Sequence, residues 1–337
     1  MDNKYLKIDE EVIDDLLYKN IENDDENLLY KNIENDNEKL LYKNIEIDDE
    51  NLLLENKTGL SNILMEKINK LKFEYNNKIK LIILTPCYGG TTYVNYTICL
   101  MNTIELFRNI GISLQIEFCK NDSLITRARN NLIAKGMNVS DATHFMFIDN
   151  DITWNPLEII KLLISNKEVI GGVYPLKTYK WDKIMNINNN SISNIIKKKK
   201  EEDYIYKYFD DEIILKSQML KYNMNIYNSE LKIENNITEI RHLPTGFMLL
   251  KREVIEKMNI YYDKTKYTDD IGFLNESENK FAYALFDTGV IDNHYLSEDW
   301  MFCERWKNIG GNIYMDVSIL LSHTGLEDYT GCFILSL

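Results

Sequence analysis

The sequence predicts an α/β protein with a mostly parallel central sheet, preceded by a low-complexity N-terminal extension. From residue 79 onward, short apolar runs typical of strands alternate with longer stretches of helical periodicity. This alternation is typical of a layered fold in which helices cover a parallel sheet. Before residue 57 the chain instead repeats one acidic unit of twelve residues.

The repeat unit LLYKNIENDDEN begins at Leu16 and recurs with few changes at Leu28 and Leu40. Residues 1–57 carry 18 acidic and 7 basic side chains, so they account for −11 of the formal net charge of −14. Such short, near-identical units indicate duplication rather than a packed solenoid. We interpret 1–57 as a solvated extension, partly helical or disordered; an arm that binds a protein partner is the alternative.

The rest of the chain is close to electrically neutral, which argues against a nucleic-acid partner, because such partners need a basic face. The five cysteines are scattered without paired metal spacing, and we interpret them as reduced core thiols. No uncharged apolar run reaches the roughly 20 residues of a transmembrane helix. We therefore expect a soluble, cytoplasmic protein.

The elements of the domain follow in order. Residues 80–85 predict a strand that stops at Pro86, and the Gly89-Gly90 turn leads into a helix through Leu106. A stretch at about 180–240 lacks glycine and proline and is interpreted as a variable insertion. Between these, the pattern predicts a strand at 112–118, a helix at 123–137, a strand at 144–148, a helix at 157–165 and a strand at 168–174.

The strongest local signal is HFMFIDNDITWNP, in which an apolar strand ends at Asp149, Asn150 and Asp151. Open α/β sheets bind ligands at the carboxyl ends of their strands. In an extended segment, residues two apart point to the same side, so both carboxylates can share one divalent cation. Carboxylate oxygens suit Mg²⁺ or Mn²⁺. A polar turn before a helix that begins at Pro156 is the alternative.

A second polar segment, KNDSLITRARNN, precedes that strand. Asp122 or Ser123 can cap a helix that carries Arg127 and Arg129. Residues two apart on a regular helix point in nearly opposite directions, so only one arginine can face a given ligand. Guanidinium groups bind phosphate bidentately, and we expect a surface salt bridge for the other arginine.

Seven segments, in order, resemble GT-A glycosyltransferases related to family 2, including bacterial and large-DNA-virus members. They are TPCYGGTTYVNY, NDSLITRARN, FIDNDITWNP, GGVYPLK, LPTGFMLLKREV, YLSEDWMFCERWKNIGG and LSHTG. The resemblance covers most of 79–331 and implies a Rossmann-like GT-A (nucleotide-diphospho-sugar transferase) domain at 79–333. It also implies Mn²⁺ or Mg²⁺, a UDP-sugar donor in preference to a GDP-sugar, and a glycan, protein or lipid acceptor. For a viral member, the location would be the host cytoplasm.

The resemblance also implies roles for individual residues on the donor side. One of the two arginines contacts nucleotide or phosphate, and His323 completes a metal shell; a late histidine is otherwise more often structural. The implied metal ligands are Asp149, Asp151 and His323. The residues implied to bind the nucleotide sugar are Thr85, Pro86, Arg127, Arg129, Asp149 and Asn150.

On the acceptor side, the resemblance places Thr245, Gly246 and Phe247, where a glycine lets backbone approach a ligand. Glu298 and Asp299 match an acidic pair before a helix, and in inverting members the second carboxylate, here Asp299, is the base. The alternative is structural, because carboxylates in a first helical turn favour the helix dipole without catalysis.

Two other classes of function stay open. A sugar-nucleotide pyrophosphorylase also combines an α/β domain with metal-binding carboxylates, but we expect a basic residue in its glycine loop, and TPCYGGTT has none. A non-catalytic, transferase-like scaffold that recruits a partner through its repeats is the second alternative.

Overall fold

The computed structural model describes residue 60 and residues 62–181, 192–202, 206–207, 209–227 and 231–336. The acidic repeats at 1–57 lie outside the described residues, so their form stays a prediction. Parts of the insertion predicted at 180–240 lie outside them as well.

Strands and helices alternate through the first half of the domain. The strands are β1 (Lys80–Cys87), β2 (Ser113–Lys120), β3 (His144–Ile148), β4 (Ile152–Trp154), β5 (Val169–Gly171), β6 (Pro175–Tyr179), β7 (Leu220–Tyr222), β8 (Ile237–Glu239), β9 (Phe247–Lys251), β10 (Gly289–Ile291), β11 (His294–Leu296), β12 (Tyr314–Asp316), β13 (Leu320–Thr324) and β14 (Asp328–Cys332). The helices are α1 (Asn62–Glu74), α2 (Val94–Ile110), α3 (Ile125–Asn138), α4 (Pro156–Ser165), α5 (Ile192–Glu202), α6 (Asp211–Met219), α7 (Arg252–Tyr261), α8 (Glu276–Asn279) and α9 (Glu298–Asn308).

The central sheet has seven strands in the order β2-β1-β3-β9-β5-β12-β8. The pairs β1–β2, β1–β3 and β5–β12 are parallel. Strand β9 runs antiparallel to both of its neighbours, and β8 runs antiparallel to β12. Five of the seven strands therefore run in the same direction, but the sheet is mixed, because a reversed strand lies at its centre and another at one edge.

Strand β1 continues through Pro86 to Cys87, whereas the sequence predicts that it stops at the proline. Pairing with β3 ends at Leu84, so beyond that point β1 is hydrogen-bonded on the β2 side alone. Proline is tolerated at such an edge because its missing N–H removes no ladder bond there. Helix α2 also continues past the predicted end at Leu106, to Ile110.

Alternate side chains of the central strands pack against helices on two faces. In β1, Leu81 and Ile83 face a core shared with α1, α2 and α4, whereas Ile82 and Leu84 face a core shared with α3, α7 and α9. Each fully buried side chain of this kind contributes roughly 1.5–3 kcal/mol. Helix α1 precedes the predicted start of the domain, yet it packs into the first core through residues such as Leu64.

The strand order has a switch point between β1 and β3. Helix α2 connects β1 to β2, which pairs with one side of β1. Helix α3 then connects β2 to β3, which pairs with the other side of β1. The connecting helices lie on opposite faces, and such a switch point leaves a crevice outside the carboxyl ends of β1 and β3. Because β9 is reversed, its first residue, Phe247, lies beside Ile148 at the carboxyl end of β3.

All five cysteines are buried and free, as the sequence predicts. Burial raises the pKa of the Cys99 thiol to about 11, which keeps it protonated at neutral pH. In the part of the chain that the structure describes, no helix combines the length and apolarity needed to cross a bilayer.

We expect Gly171→Ala to lower the free energy of unfolding by about 1–3 kcal/mol, the usual cost of overpacking. An added Cβ at Gly171 would lie 2.2 Å from the carbonyl oxygen of Phe247. Gly89→Ala is the control, because its Cβ would meet nothing closer than Thr91 Oγ1 at 3.6 Å. Urea unfolding measures both variants, and equal midpoints would contradict the close approach of β5 to β9.

A second prediction concerns His144. Burial, with Lys251 as a lesser cause, lowers the pKa of its imidazole from 6.5 to about 3. Between these values the unfolded chain binds a proton that the folded chain excludes, so this group makes stability fall as pH falls, by about 1.4 kcal/mol per pH unit. Unfolding of wild type and His144→Gln at several pH values measures the difference. Identical slopes for the two proteins would refute it.

Candidate functional site

Asp149, Asn150 and Asp151 form a turn between β3 and β4, beside the switch point. The N–H of Ile152 donates to the carbonyl oxygen of Asp149 at 3.0 Å, which closes the turn. The prediction that this segment is extended, with both carboxylates on one side, is therefore wrong. The chain must reverse here to enter β4, and the two carboxylates have separate sets of partners.

Arg129 on α3 joins the first of these carboxylates to helix α9. Its Nη1 and Nη2 donate to the two oxygens of Asp149 at 3.0 and 3.2 Å, and its Nε donates to Glu298 Oε1 at 3.1 Å. The Arg129 side chain is only 4% exposed. Burial lowers the pKa of this guanidinium, but the two carboxylates more than offset that effect and raise it overall. Arg129 is thus a buried cation held by three charge-assisted hydrogen bonds.

Arg127 is directed elsewhere, as its spacing from Arg129 predicts. Its Nε and Nη2 donate to Asp122 at 2.9 and 2.8 Å. Burial raises the pKa of Asp122, but these bonds and the N–H of Leu124 lower it overall. Leu124, rather than Asp122 or Ser123, is the N-cap residue of α3, and no side chain caps this helix. Asp122 accepts hydrogen bonds from the approach to the helix instead.

Asp151 has two basic partners. Lys177 Nζ lies 2.7 Å from Asp151 Oδ2, and His323 Nε2 lies 3.3 Å from the same oxygen. Burial raises the pKa of Asp151, but hydrogen bonds from His323 and Lys177 more than offset that and lower it. Antiparallel pairing of β13 with β4 places His323 opposite Ile152, next to this carboxylate.

The other ring nitrogen of His323 determines its tautomer. His323 Nδ1 lies 2.9 Å from the carbonyl oxygen of Pro175. A carbonyl oxygen only accepts, so Nδ1 carries the proton. Asp151 Oδ2 also only accepts, so Nε2 donates to it when the ring carries a second proton, and Nε2 is the nitrogen left free to bind a cation when the ring is neutral. In metal sites, a histidine that donates one N–H to a backbone carbonyl and binds through its other nitrogen is the usual arrangement.

Glu298 and Asp299 begin helix α9. The Ser297 hydroxyl donates to Asp299 Oδ1 rather than capping the helix, and the N–H of Trp300 donates to the same oxygen at 2.9 Å. Asp299 is buried, and burial followed by the charge of Glu298 raises its pKa. The two neighbouring carboxylates therefore differ, because Glu298 is bound by Arg129 whereas Asp299 has an increased affinity for a proton.

Gly246 lies between the β3 turn and the ring of Tyr174. Its carbonyl oxygen accepts the N–H of Asp149 at 3.1 Å, and a Cβ at Gly246 would lie 2.5 Å from the ring of Tyr174. The Tyr174 ring also packs edge-on against His323, with centroids 4.9 Å apart. Burial, then the charge of Asp149, raises the pKa of Tyr174. Glycine at 246 is thus needed for the approach of Tyr174 to the β3 turn.

The remaining predicted residues lie nearby but are engaged within the fold. Thr85 is fully buried, with its hydroxyl 2.5 Å from that of Tyr96, and the next residue, Pro86, continues β1. Asn150 Nδ2 donates to the carbonyl oxygen of Thr91 at 2.7 Å, which ties the β1 loop to the turn. Thr245 and Phe247 are buried on either side of Gly246.

Sequence reasoning missed Tyr174 and Lys177 as members of the site. Both lie in the segment GGVYPLK, directly after the short buried strand β5. A tyrosine and a lysine just beyond the carboxyl end of a buried strand are a usable signal. Within the described ranges, no three side chains of His, Cys, Asp or Glu converge as a metal cluster. Asp151 and His323 converge as a pair.

We expect Arg129→Met to lower the free energy of unfolding by about 3–5 kcal/mol, because it leaves Asp149 and Glu298 without their shared cation. Arg241→Met is the control: Arg241 is 52% exposed, and its partner Glu304 keeps other basic partners. That substitution should cost at most about 1 kcal/mol. Urea titration measures the free energy of unfolding of both variants. Equal decreases would show that the buried Arg129 contributes no more to stability than the exposed Arg241.

No protein-family model matches the chain, and no curated protein matches it. The solved structures that show weak likeness to it include the following two. A197 from STIV is 15% identical, with the alignment covering 73% of this chain and 86% of that chain at a TM-score of 0.38. UDP-glucose pyrophosphorylase complexed with UDP-glucose is 11% identical, covering 71% and 90% at a TM-score of 0.32. Both scores are too low to establish a shared fold, and neither decides what this chain binds.

Proposed function

We propose that this protein is a metal-dependent glycosyltransferase that moves a sugar from a nucleotide-diphosphate sugar to an acceptor hydroxyl. One observation carries the proposal. At the carboxyl end of β3, the Asp149–Asp151 turn lies beside the acidic start of α9. The buried Arg129 binds to both. Such a strand end is where open α/β sheets bind ligands.

The donor side is the Asp151 half of the turn. Asp151 and His323 would hold Mn²⁺ or Mg²⁺, and they fit such an ion, because a carboxylate and a histidine with its Nδ1–H donated to Pro175 are suitable ligands. Mg²⁺ sites commonly use one or two protein carboxylates together with substrate phosphates. The bound ion would supply charge that stabilises the leaving diphosphate.

The acceptor side is the start of α9. The acceptor oxygen attacks the anomeric carbon as the bond from that carbon to the diphosphate oxygen breaks, and Asp299 takes the acceptor proton. Burial and the charge of Glu298 raise the pKa of Asp299, and a raised proton affinity suits a carboxylate that acts as a base. This role applies if the reaction inverts the configuration of the sugar.

Arg129 is a positioning residue in this scheme. It is buried and engaged with Asp149 and Glu298, so it fixes the turn and the start of α9 relative to each other. Effective catalysis depends on holding such groups within a fraction of an ångström of their working positions. A contact between Arg129 and the nucleotide stays an expectation from the resemblance.

The test is release of nucleoside diphosphate from UDP-, GDP- and dTDP-sugars, with Mn²⁺ or with EDTA. We expect turnover of one donor with Mn²⁺, a UDP-sugar first, and none with EDTA. Asp151→Asn should lower kcat/KM by about a hundredfold or more, the scale of losing one group that stabilises developing charge. Asp141→Asn is the control, since Asp141 forms an ion pair with Lys80 at the amino end of β1, away from the site.

Other outcomes identify the alternatives. Formation of pyrophosphate from a nucleoside triphosphate and a sugar phosphate would indicate a pyrophosphorylase. No turnover, together with no calorimetric binding of any donor, would refute the enzyme and leave the scaffold.

A further inference from the structure

Lys177 makes an ion pair at the proposed metal position. Its ammonium lies 2.7 Å from Asp151 Oδ2, the oxygen that also lies 3.3 Å from His323 Nε2. The Lys177 side chain is 35% exposed and Asp151 is 20% exposed, so this pair is in contact with solvent. A divalent ion on the same oxygen would lie close to the ammonium, and the two positive charges would repel each other. A divalent ion bound by Asp151 and His323 would therefore compete with Lys177.

The fold is built to let Lys177 reach this position. Lys177 lies on β6, and its aliphatic chain passes directly over Gly325, where an added Cβ would lie 2.9 Å from Lys177 Cδ. Gly325 has no positive φ and therefore no backbone requirement for glycine. The space above it is occupied by the lysine. His323 and Gly325, both from LSHTG, thus line the carboxylate and the path of the lysine.

Lys177 differs in this respect from Arg129, the cation on the other carboxylate of the turn. Arg129 is 4% exposed and makes bonds to two carboxylates. Lys177 makes one bond from a flexible stem of four methylene groups, which carries a compact charge with freely rotating donors. The structure thus pairs Asp149 with a fixed cation and Asp151 with one that can leave.

We propose that Lys177 occupies the metal position in the free protein and moves to the donor diphosphate when a divalent cation displaces it. This role presupposes the donor-binding function proposed above. The ammonium neutralises Asp151 until the ion arrives and then adds a second positive charge to the leaving diphosphate. The ligand class is a nucleoside diphosphate with its divalent cation.

The decisive experiment measures two affinities by titration calorimetry on the full chain, with UDP as the probe. For Lys177→Met, Mn²⁺ alone should bind about two- to fivefold more tightly than to wild type, because a competing, partly exposed ion pair is gone. At saturating Mn²⁺, UDP should bind about tenfold more weakly, because a charge-assisted hydrogen bond to phosphate is lost. A purely structural lysine would not shift the two affinities in opposite directions.

Lys80→Met is the matched control. It removes the same charge and breaks a lysine–aspartate ion pair. Lys80 lies 2.9 Å from Asp141, at the amino end of β1. Neither affinity should change by more than about twofold, since charges that far apart are screened. If Lys177→Met also leaves both affinities unchanged, Lys177 has no part in binding, while the donor-binding function stands. If wild type binds neither Mn²⁺ nor UDP, the proposed function fails, and the role of Lys177 fails with it.

Gly325→Ala tests the same competition without removing the charge. The added methyl group should push Lys177 away from Asp151, so Mn²⁺ should again bind more tightly, by about two- to fivefold. UDP affinity at saturating Mn²⁺ should stay within about twofold of wild type, because the ammonium is still available to the diphosphate. An unchanged Mn²⁺ affinity in this variant would contradict the competition.

Discussion

The buried guanidinium of Arg129 is the interaction on which the site depends. Removing a cation from water costs several kcal/mol, and the cost is offset only where several well-aligned acceptors surround it. Asp149 and Glu298 provide three such contacts, from two elements far apart in the sequence. Helix α3, the end of β3 and the start of α9 must therefore come together for Arg129 to be buried with its charge paired.

This constraint separates the roles of neighbouring acidic residues. Glu298 forms an ion pair with Arg129, whereas burial, followed by the charge of Glu298, raises the pKa of Asp299. The two aspartates of the β3 turn, Asp149 and Asp151, likewise differ in the side chains that they bind. Asp149 faces the interior cation, and Asp151 faces the partly exposed lysine and histidine. Position relative to the buried arginine, more than residue type, thus sets the chemistry available to each carboxylate.

Much of the first half of the fold follows from local pattern. The apolar runs at β1 and β3 have the composition of buried strands, and Asn155 and Pro156 are typical of a helix start, which the structure has at α4. The reversed direction of β9 could not be predicted, because FMLLK is equally apolar in either orientation. The β3 turn corresponds to the alternative that the sequence left open, since two carboxylates after a strand indicate a site without indicating whether the chain continues or reverses.

Residues distant in sequence explain the rest. Lys177 reaches Asp151 because β6 and the β13–β14 hairpin bring GGVYPLK and LSHTG to the same carboxylate, and neither segment alone indicates that meeting. The result is an electrostatic asymmetry within three residues. Releasing Asp149 would leave the buried Arg129 with Glu298 as its remaining carboxylate partner, whereas releasing Asp151 returns a partly exposed ammonium to water at little cost. In the proposed function, these charges would direct a divalent cation to Asp151 rather than to Asp149, on the side where His323 lies.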